Sequence, residues 1–456
     1  MKGILKKLVL LLMVLCSIKV SAQDHKDFRY YDSLTFSLGE KQHWDSLISV
    51  YKDAVSHQFD WYYLEMRAGI AFYNKKNYED ALFCFRKAYK YNSDDVNTQE
   101  YLYYSLLFSG RTDEARAFLH EMNPDLIDRI KPAKNPIVSG VYIEGGMAFS
   151  NNFSKNQQII RQETTPNDYT EADLNNNIRY FNLGLTHHIG KRITIYQAYS
   201  YVGIDKLKQI RLNIAPPYNL DAAENYKINQ QQYYLQMGWA SYNKISIKPA
   251  FHYLYNKFST IYWSGDSIYP NLDKQTQKII SEYLFSLMLQ KEYRKFTLGI
   301  NASWSNLDKG TQLQGGLSLN YLFQNWHALR STTNLDILSD KNSDKTITLP
   351  KLRVFFSERL SLPLTPRLYT GVSATVGNLC HANEMNGLYV YNSSDAINYK
   401  VGFDASYYLN QHFSLSLFYN FIDKSNNYFK ENNNVITINH YNYNNHFLIG
   451  AIQWKI

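Results

Sequence analysis

His187-His188, His252, His381, His440 and His446 are side chains able to move a proton near neutral pH, and Ser414 and Ser416 are hydroxyls that such a base could activate. That pairing would serve ester hydrolysis on lipid or glycan. The motifs that announce it are missing: there is no G-x-S-x-G elbow, no H-E-x-x-H and no Gly-rich phosphate loop. A catalytic triad is recognised by geometry rather than by spacing. The reading therefore assigns no catalytic residue, and no cofactor or metal. Cys84 and Cys380 have no metal-ligand spacing, and their separation argues against a disulfide.

Charged residues give a second set. In "PKLRVFFSERLSL" a two-residue period puts Lys351, Arg353 and Arg359 on one face, opposite Val354, Phe356, Leu360 and Leu362. Lys248 and Arg330 join that polar face from other segments, and Glu144, Glu282 and Asp336 share it with the opposite sign. A mixed-sign set of this kind stiffens or seals an interior through salt bridges. The sharper alternative is an anion-selecting pore lined by the basic members. Glu358 falls on the apolar parity, which calls for a bulge or a place near an interface.

The elements that hold these residues alternate like β-strands. "FTLGINASW" sets Phe296, Leu298, Ile300, Ala302 and Trp304 against Thr297, Gly299, Asn301 and Ser303. "HFSLSLFYNF" and "ISIKPAFHYLY" repeat the pattern and turn Ser414, Ser416, Lys248 and His252 to the polar side. Short turns near Gly190-Lys191, Tyr242-Asn243, Gln290 to Tyr293, Gln324-Asn325, Pro363 to Pro366 and Asn410-Gln411 alternate with long polar segments at 152–176, 205–227, 260–274, 378–395 and 424–433. An apolar, aromatic face outside and a polar face inside, with short turns at one end and long loops at the other, describe a transmembrane barrel. The count is about fourteen antiparallel strands, with twelve or sixteen inside the boundary error. A soluble β-sandwich is the alternative, and its outward faces should be polar.

Before the strands lies a helical region. In "YEDALFCFRKAY" and the residues around it, Gly69, Phe72, Ala81, Phe85 and Ala88 stand where paired helices need a small residue and an aromatic beside it. Those positions resemble a tetratricopeptide repeat, and its 34-residue period carries Ala81 to Ala115 and Phe85 to Leu119. Tyr103 stands where the second repeat should have glycine. The resemblance implies a concave face that binds peptides.

Lys2, Lys6 and Lys7, the apolar run 8–18 and the small residues Ser21-Ala22 form a secretory leader over 1–22. Lys19 cuts the run too short for a retained membrane helix, and Leu15 is the wrong neighbour for lipidation of Cys16. Four leader lysines account for part of the net charge of +8, which leaves 8 − 4 = +4 for the mature chain. So mild and dispersed a charge gives no nucleic-acid partner.

The domains are thus 1–22 leader, 23–130 tetratricopeptide-like periplasmic helices, 131–138 linker and 139–456 barrel. The fold class is an all-β transmembrane barrel preceded by a small all-α domain. As an architecture it resembles the YaiO-type group of outer-membrane proteins, which implies the outer membrane and its lipid as surroundings. The primary expectation is a non-enzymatic barrel whose periplasmic repeats dock a protein or peptide in secretion, assembly or envelope anchoring. The alternatives are a porin-like channel for small solutes and a barrel enzyme.

Overall fold

The computed structural model describes residues 27–132, 136–162, 168–215, 218–241, 244–264, 271–293, 296–323, 329–341, 350–393, 395–432 and 435–456. The leader 1–22 and the turns at Tyr242-Asn243 and Gln324-Asn325 lie outside them. The chain divides into two compact units, 1–131 and 132–456.

The first unit is helical: α1 (Phe28–Glu40), α2 (Trp44–Ser56), α3 (Tyr62–Asn74), α4 (Tyr78–Tyr91), α5 (Val96–Phe108), α6 (Thr112–Phe118) and α7 (Pro124–Ile130). Side-chain caps start several of them. Asn77 accepts from Asp80 N at α4, Asp95 from Thr98 N at α5, and Asn123 precedes Pro124 at α7. Gly69 and Phe85 meet where α3 and α4 touch: a Cβ on Gly69 would lie 2.5 Å from the Phe85 ring. That ring also stacks on Tyr101 at 5.1 Å. Phe72, Ala81, Ala88, Ala115 and Leu119 are buried. One period beyond Gly69 stands buried Tyr103, whose bulk prevents the same close approach. The helix after it, α6, is 7 residues long against 14 in α4. Glu65 is buried on α3; burial pushes its carboxyl up, and the Lys87 ion pair at 2.7 Å works against that shift.

The second unit is a closed antiparallel barrel. Its strands are β1 (Val138–Ser150), β2 (Asp168–Ile189), β3 (Ile193–Ala215), β4 (Tyr218–Ala240), β5 (Ile245–Ser264), β6 (Asn271–Glu292), β7 (Phe296–Ser305), β8 (Thr311–Phe323), β9 (Leu329–Lys341), β10 (Leu352–Pro363), β11 (Leu368–Val376), β14 (Ala396–Tyr408), β15 (Phe413–Asn432) and β16 (Val435–Lys455), which make fourteen. A two-stranded hairpin, β12 (Asn383–Glu384) with β13 (Tyr389–Val390), lies between β11 and β14. The ring closes where β1 pairs with β16, from Gly140 opposite Lys455 to Ser150 opposite Asn445. Ile143, Met147, Phe285, Ile300, Leu417 and Leu448 are exposed on the outside, as lipid requires. Aromatic pairs such as Tyr293–Phe296 and Phe413–Trp454 sit near the short-turn end. No helix among the described residues is long and apolar enough to cross a membrane.

Three expectations change. The segments 205–227, 260–274 and 424–433 are mostly strand rather than loop: β3 and β4 pair out to Ala215 and Tyr218, β5 and β6 to Ser264 and Asn271, β15 and β16 to Asn432 and Val435. These strands run 20–23 residues, where about 9–11 span a bilayer. Beyond the lipid no hydrocarbon surrounds the outer face, so the apolar alternation that marks a spanning strand fades. The turn expected at Gln290 begins later, because β6 keeps its ladder to Glu292. Glu358 lies in an uninterrupted register without a bulge, and the Ser331 and Thr333 hydroxyls both donate to its carboxylate at 2.6 Å.

The long strands build a second layer of structure. Past Ser425, β15 leaves β14 and pairs with β2 instead, Phe429 opposite Glu171. This gives a continuous sheet in the order β16-β15-β2-β3-β4-β5-β6 at the long-loop end. The helix α8 (Phe153–Gln162) packs Ile160 and Phe153 against it, in a cluster with Ala172, Leu174, Leu207, Tyr428, Tyr441 and Tyr443.

Gly69→Val would drive two methyl groups into the Phe85 ring, and overpacking of this kind costs about 1–3 kcal/mol. The full chain should then lose its helical far-UV signal at lower temperature than wild type while its strand signal melts unchanged.

Candidate functional site

A fourteen-stranded ring is wider than the eight-stranded barrels that side chains alone can fill. Here the segment 378–395, expected as an outer loop, turns inward and crosses the lumen. Its base is fixed on the wall it leaves. Arg353 donates to the Cys380 carbonyl at 2.8 Å and to Asp340 at 2.6 Å. His381 Nδ1 sits 2.9 Å from the same Asp340 oxygen, and Gln312 donates to the other at 3.0 Å. Leu379 and Ala382 pack on Leu338, Phe355, Ile397 and Ile422. Lys400 pairs with Glu384, which also accepts from Tyr391.

The hairpin then crosses to β4, β5 and β6, on the far side of the ring from β11 and β14. On the way Gln314 donates to the Asn383 carbonyl at 2.9 Å and accepts from its N–H at 3.0 Å. Met385, Asn386 and Gly387 all have positive φ and form the tip. There the Asn386 carbonyl accepts from Tyr234 at 3.1 Å and Ser286 at 2.7 Å, and the Gly387 carbonyl lies 2.7 Å from His252 Nδ1. A carbonyl has no proton to give, so that nitrogen carries the hydrogen. On the return strand Asn392 donates to Glu282, and Asp395 accepts from Asn175 at 2.8 Å and Tyr443 at 2.7 Å.

The charged residues named from the sequence do not join into one network. Arg353 is buried and paired with Asp340, and Arg359 reaches Asp404 at 2.8 Å. Lys248 donates to Gln290 at 2.9 Å. Arg330 lies at the short-turn end of β9 opposite Ser361, and Lys351 is exposed just ahead of β10. Neutral donors meet the three acids: Tyr142 at 2.7 Å and Tyr180 at 2.5 Å for Glu144, Asn256 at 2.7 Å for Glu282, and Gln314 at 3.2 Å for Asp336.

The histidines and serines are dispersed too. His252 does face the lumen, as its parity implies, but its partners are Gly387 and Gln232. His381 is buried in the inward loop rather than exposed in an outer one. His187 meets Gln197, His440 meets Asn427 and His446 meets Tyr419, while Ser416 bonds Ser406. Among the described residues no group of three His, Cys, Asp or Glu side chains is placed to hold a metal.

Sequence reasoning missed the inward turn of 378–395. Two signals were present. The segment carries Leu379, Cys380, Ala382, Leu388 and Val390, too apolar for a loop in water. Pro249 interrupts the pattern of β5, where a proline marks a break in the ladder.

No family model matches the chain, and no curated protein matches it significantly. Solved structures to which it is similar include the Pseudomonas putida toluene transporter TodX, at 6% identity and TM-score 0.44, covering 73% of this chain and 92% of that one. A Pseudomonas aeruginosa FadL homologue aligns at 9% identity and TM-score 0.43, over 77% and 94%. The Ralstonia pickettii toluene transporter TbuX aligns at 5% identity and TM-score 0.43, over 70% and 90%.

Proposed function

We propose that this chain is an outer-membrane channel for small polar solutes, held closed in the present conformation by the loop between β11 and β14. The observation that carries the proposal is the way the loop is held. Its far end rests mainly on hydrogen bonds between polar groups that water or a solute can replace, with Leu388 packed on the small cluster of Ala198, Tyr234 and Ala250, while the larger apolar cluster lies at the base. Met385 is 66% exposed at the tip, so open space adjoins the hairpin inside the ring. In the outer-membrane orientation the short turns and both barrel ends face the periplasm. The helical unit then belongs to the periplasm.

A second role rests on that unit. Phe36 and Tyr63 are 55% and 60% exposed on α1 and α3, and the Arg67 guanidinium lies over both rings at 5.3 and 5.6 Å. Arg67 is ion-paired with Asp32 at 2.7 Å, so what the surface offers is chiefly its aromatic rings; such a face suits a periplasmic peptide or protein, and docking it is compatible with a channel beyond.

Two variants test the closure. Gly387→Val places a branched side chain at a backbone φ of +83°, with its Cβ about 2.5 Å from Leu284, so the tip cannot seat. Planar-bilayer conductance of the variant should rise several-fold over wild type with the heat-modifiable barrel band intact; equal conductance would count against the proposal. Asp340→Ala leaves Arg353 buried without its partner, a loss of about 3–5 kcal/mol. Limited proteolysis should then cut the intact barrel within 378–393, a segment that resists in wild type.

A further inference from the structure

The tip of the loop occupies a receptor rather than a gap. Tyr234 and Ser286 donate to one backbone carbonyl, and His252 donates to the next. The Asn386 carboxamide donates to Gln236 Oε1 at 3.0 Å and to the Lys248 carbonyl at 2.9 Å. That last carbonyl faces the lumen where the ladder of β4 and β5 is interrupted, between the pairs Gln236–Ala250 and Trp239–Ile247. Pro249, with no N–H to contribute, sits in the interruption. Asn386 Oδ1 has no hydrogen-bond partner although its residue is only 7% exposed, so the seat leaves this one polar atom of the tip unmet.

Three donors and two acceptors, set by three adjacent strands, thus read two consecutive backbone carbonyls and the two N–H groups of one side-chain carboxamide. This is the hydrogen-bonding pattern of a peptide that carries a side-chain amide. Resting on the channel reading above, we infer that the seat formed by Tyr234, Gln236, the Lys248 carbonyl, His252 and Ser286 is the solute-binding site of the channel. It takes short peptides or other amide-bearing solutes, and the Met385-Asn386-Gly387 tip fills it as an internal mimic. Solute and tip compete for the same groups, so a bound solute favours the open conformation.

The test uses the full chain in detergent and a fluorescent acetyl-Met-Asn-Gly-Leu-amide probe, read by anisotropy. In Gly387→Val protein the tip no longer competes, and the probe should bind saturably and roughly tenfold tighter than in wild type. Ser286→Ala and Gln236→Ala, added singly to that protein, should each weaken binding by roughly three- to tenfold. A heat-modifiable band confirms that each variant still forms the barrel. Displacement of the probe by an N-acetylglucosamine trimer would extend the site to acetylated sugars; failure to displace would confine it to peptides. Equal probe affinity for wild type and Gly387→Val, or affinity untouched by both alanine variants, would overturn the inference. Probe binding in protein that never conducts would keep the seat and refute the channel.

Discussion

In hydrocarbon no backbone N–H or C=O can be left without a partner, and the rest of this structure depends on that constraint. It is met by the ladder that joins β1 to β16 and closes the ring, Gly140 opposite Lys455 through Ser150 opposite Asn445. A ring closed this way has no free edge inside the bilayer. It also has a fixed circumference, and at fourteen strands the lumen must be either wet or filled.

Outside the bilayer the constraint lapses, and the architecture changes at that height. Because β1 ends at Ser150 and β14 begins at Ala396, β2 and β15 each have an unpaired edge above them, and these two edges find one another. Water satisfies what lipid could not, so the strands can extend, exchange neighbours and carry α8 beneath them. Inside the ring a different compensation operates. Between the apolar lumen-side residues such as Leu338 and Phe355, β4, β5, β6, β8, β9 and β10 turn polar groups into a confined space, and the inward loop supplies partners that make their burial tolerable. In the channel proposed above, the same bonds close the passage. A plug assembled from hydrogen bonds exchangeable with water is easier to displace than one held by a continuous apolar core.

Much of the barrel could be read from the sequence because lipid imposes a two-residue period on any strand it touches. Phe296 to Trp304 and Phe413 to Phe421 announce their faces, and parity alone placed His252 inward. The close approach of Gly69 and Phe85 was legible for a similar reason, since helix pairing leaves few residue types at a contact. The extensions of β3 to β6 were not legible, because beyond the lipid nothing imposes a continuous two-residue apolar period on a strand. Nor was the exchange of β15 from β14 to β2, which depends on where two other strands stop. The inward loop lay hidden for a third reason: its contacts run to residues more than a hundred positions away, as from Asn386 to Tyr234, and no local period records them. Glu358 teaches the converse. Its parity was read correctly, and of the two explanations offered, a bulge or a place near an interface, the continuous register removes the bulge, while two neighbouring hydroxyls on β9 meet the carboxylate.

The central claim is that the hairpin tip reversibly bars the lumen from its seat on β4 to β6. A cysteine pair, Gln236→Cys with Asn386→Cys, puts thiols on two residues whose side chains bond directly, Asn386 Nδ2 to Gln236 Oε1 at 3.0 Å, while native Cys84 and Cys380 are buried. Single-channel recording of this protein under oxidation and then reduction tests the claim directly. The account predicts silence when the disulfide is formed and conductance that returns on reduction; the same conductance in both states would contradict it.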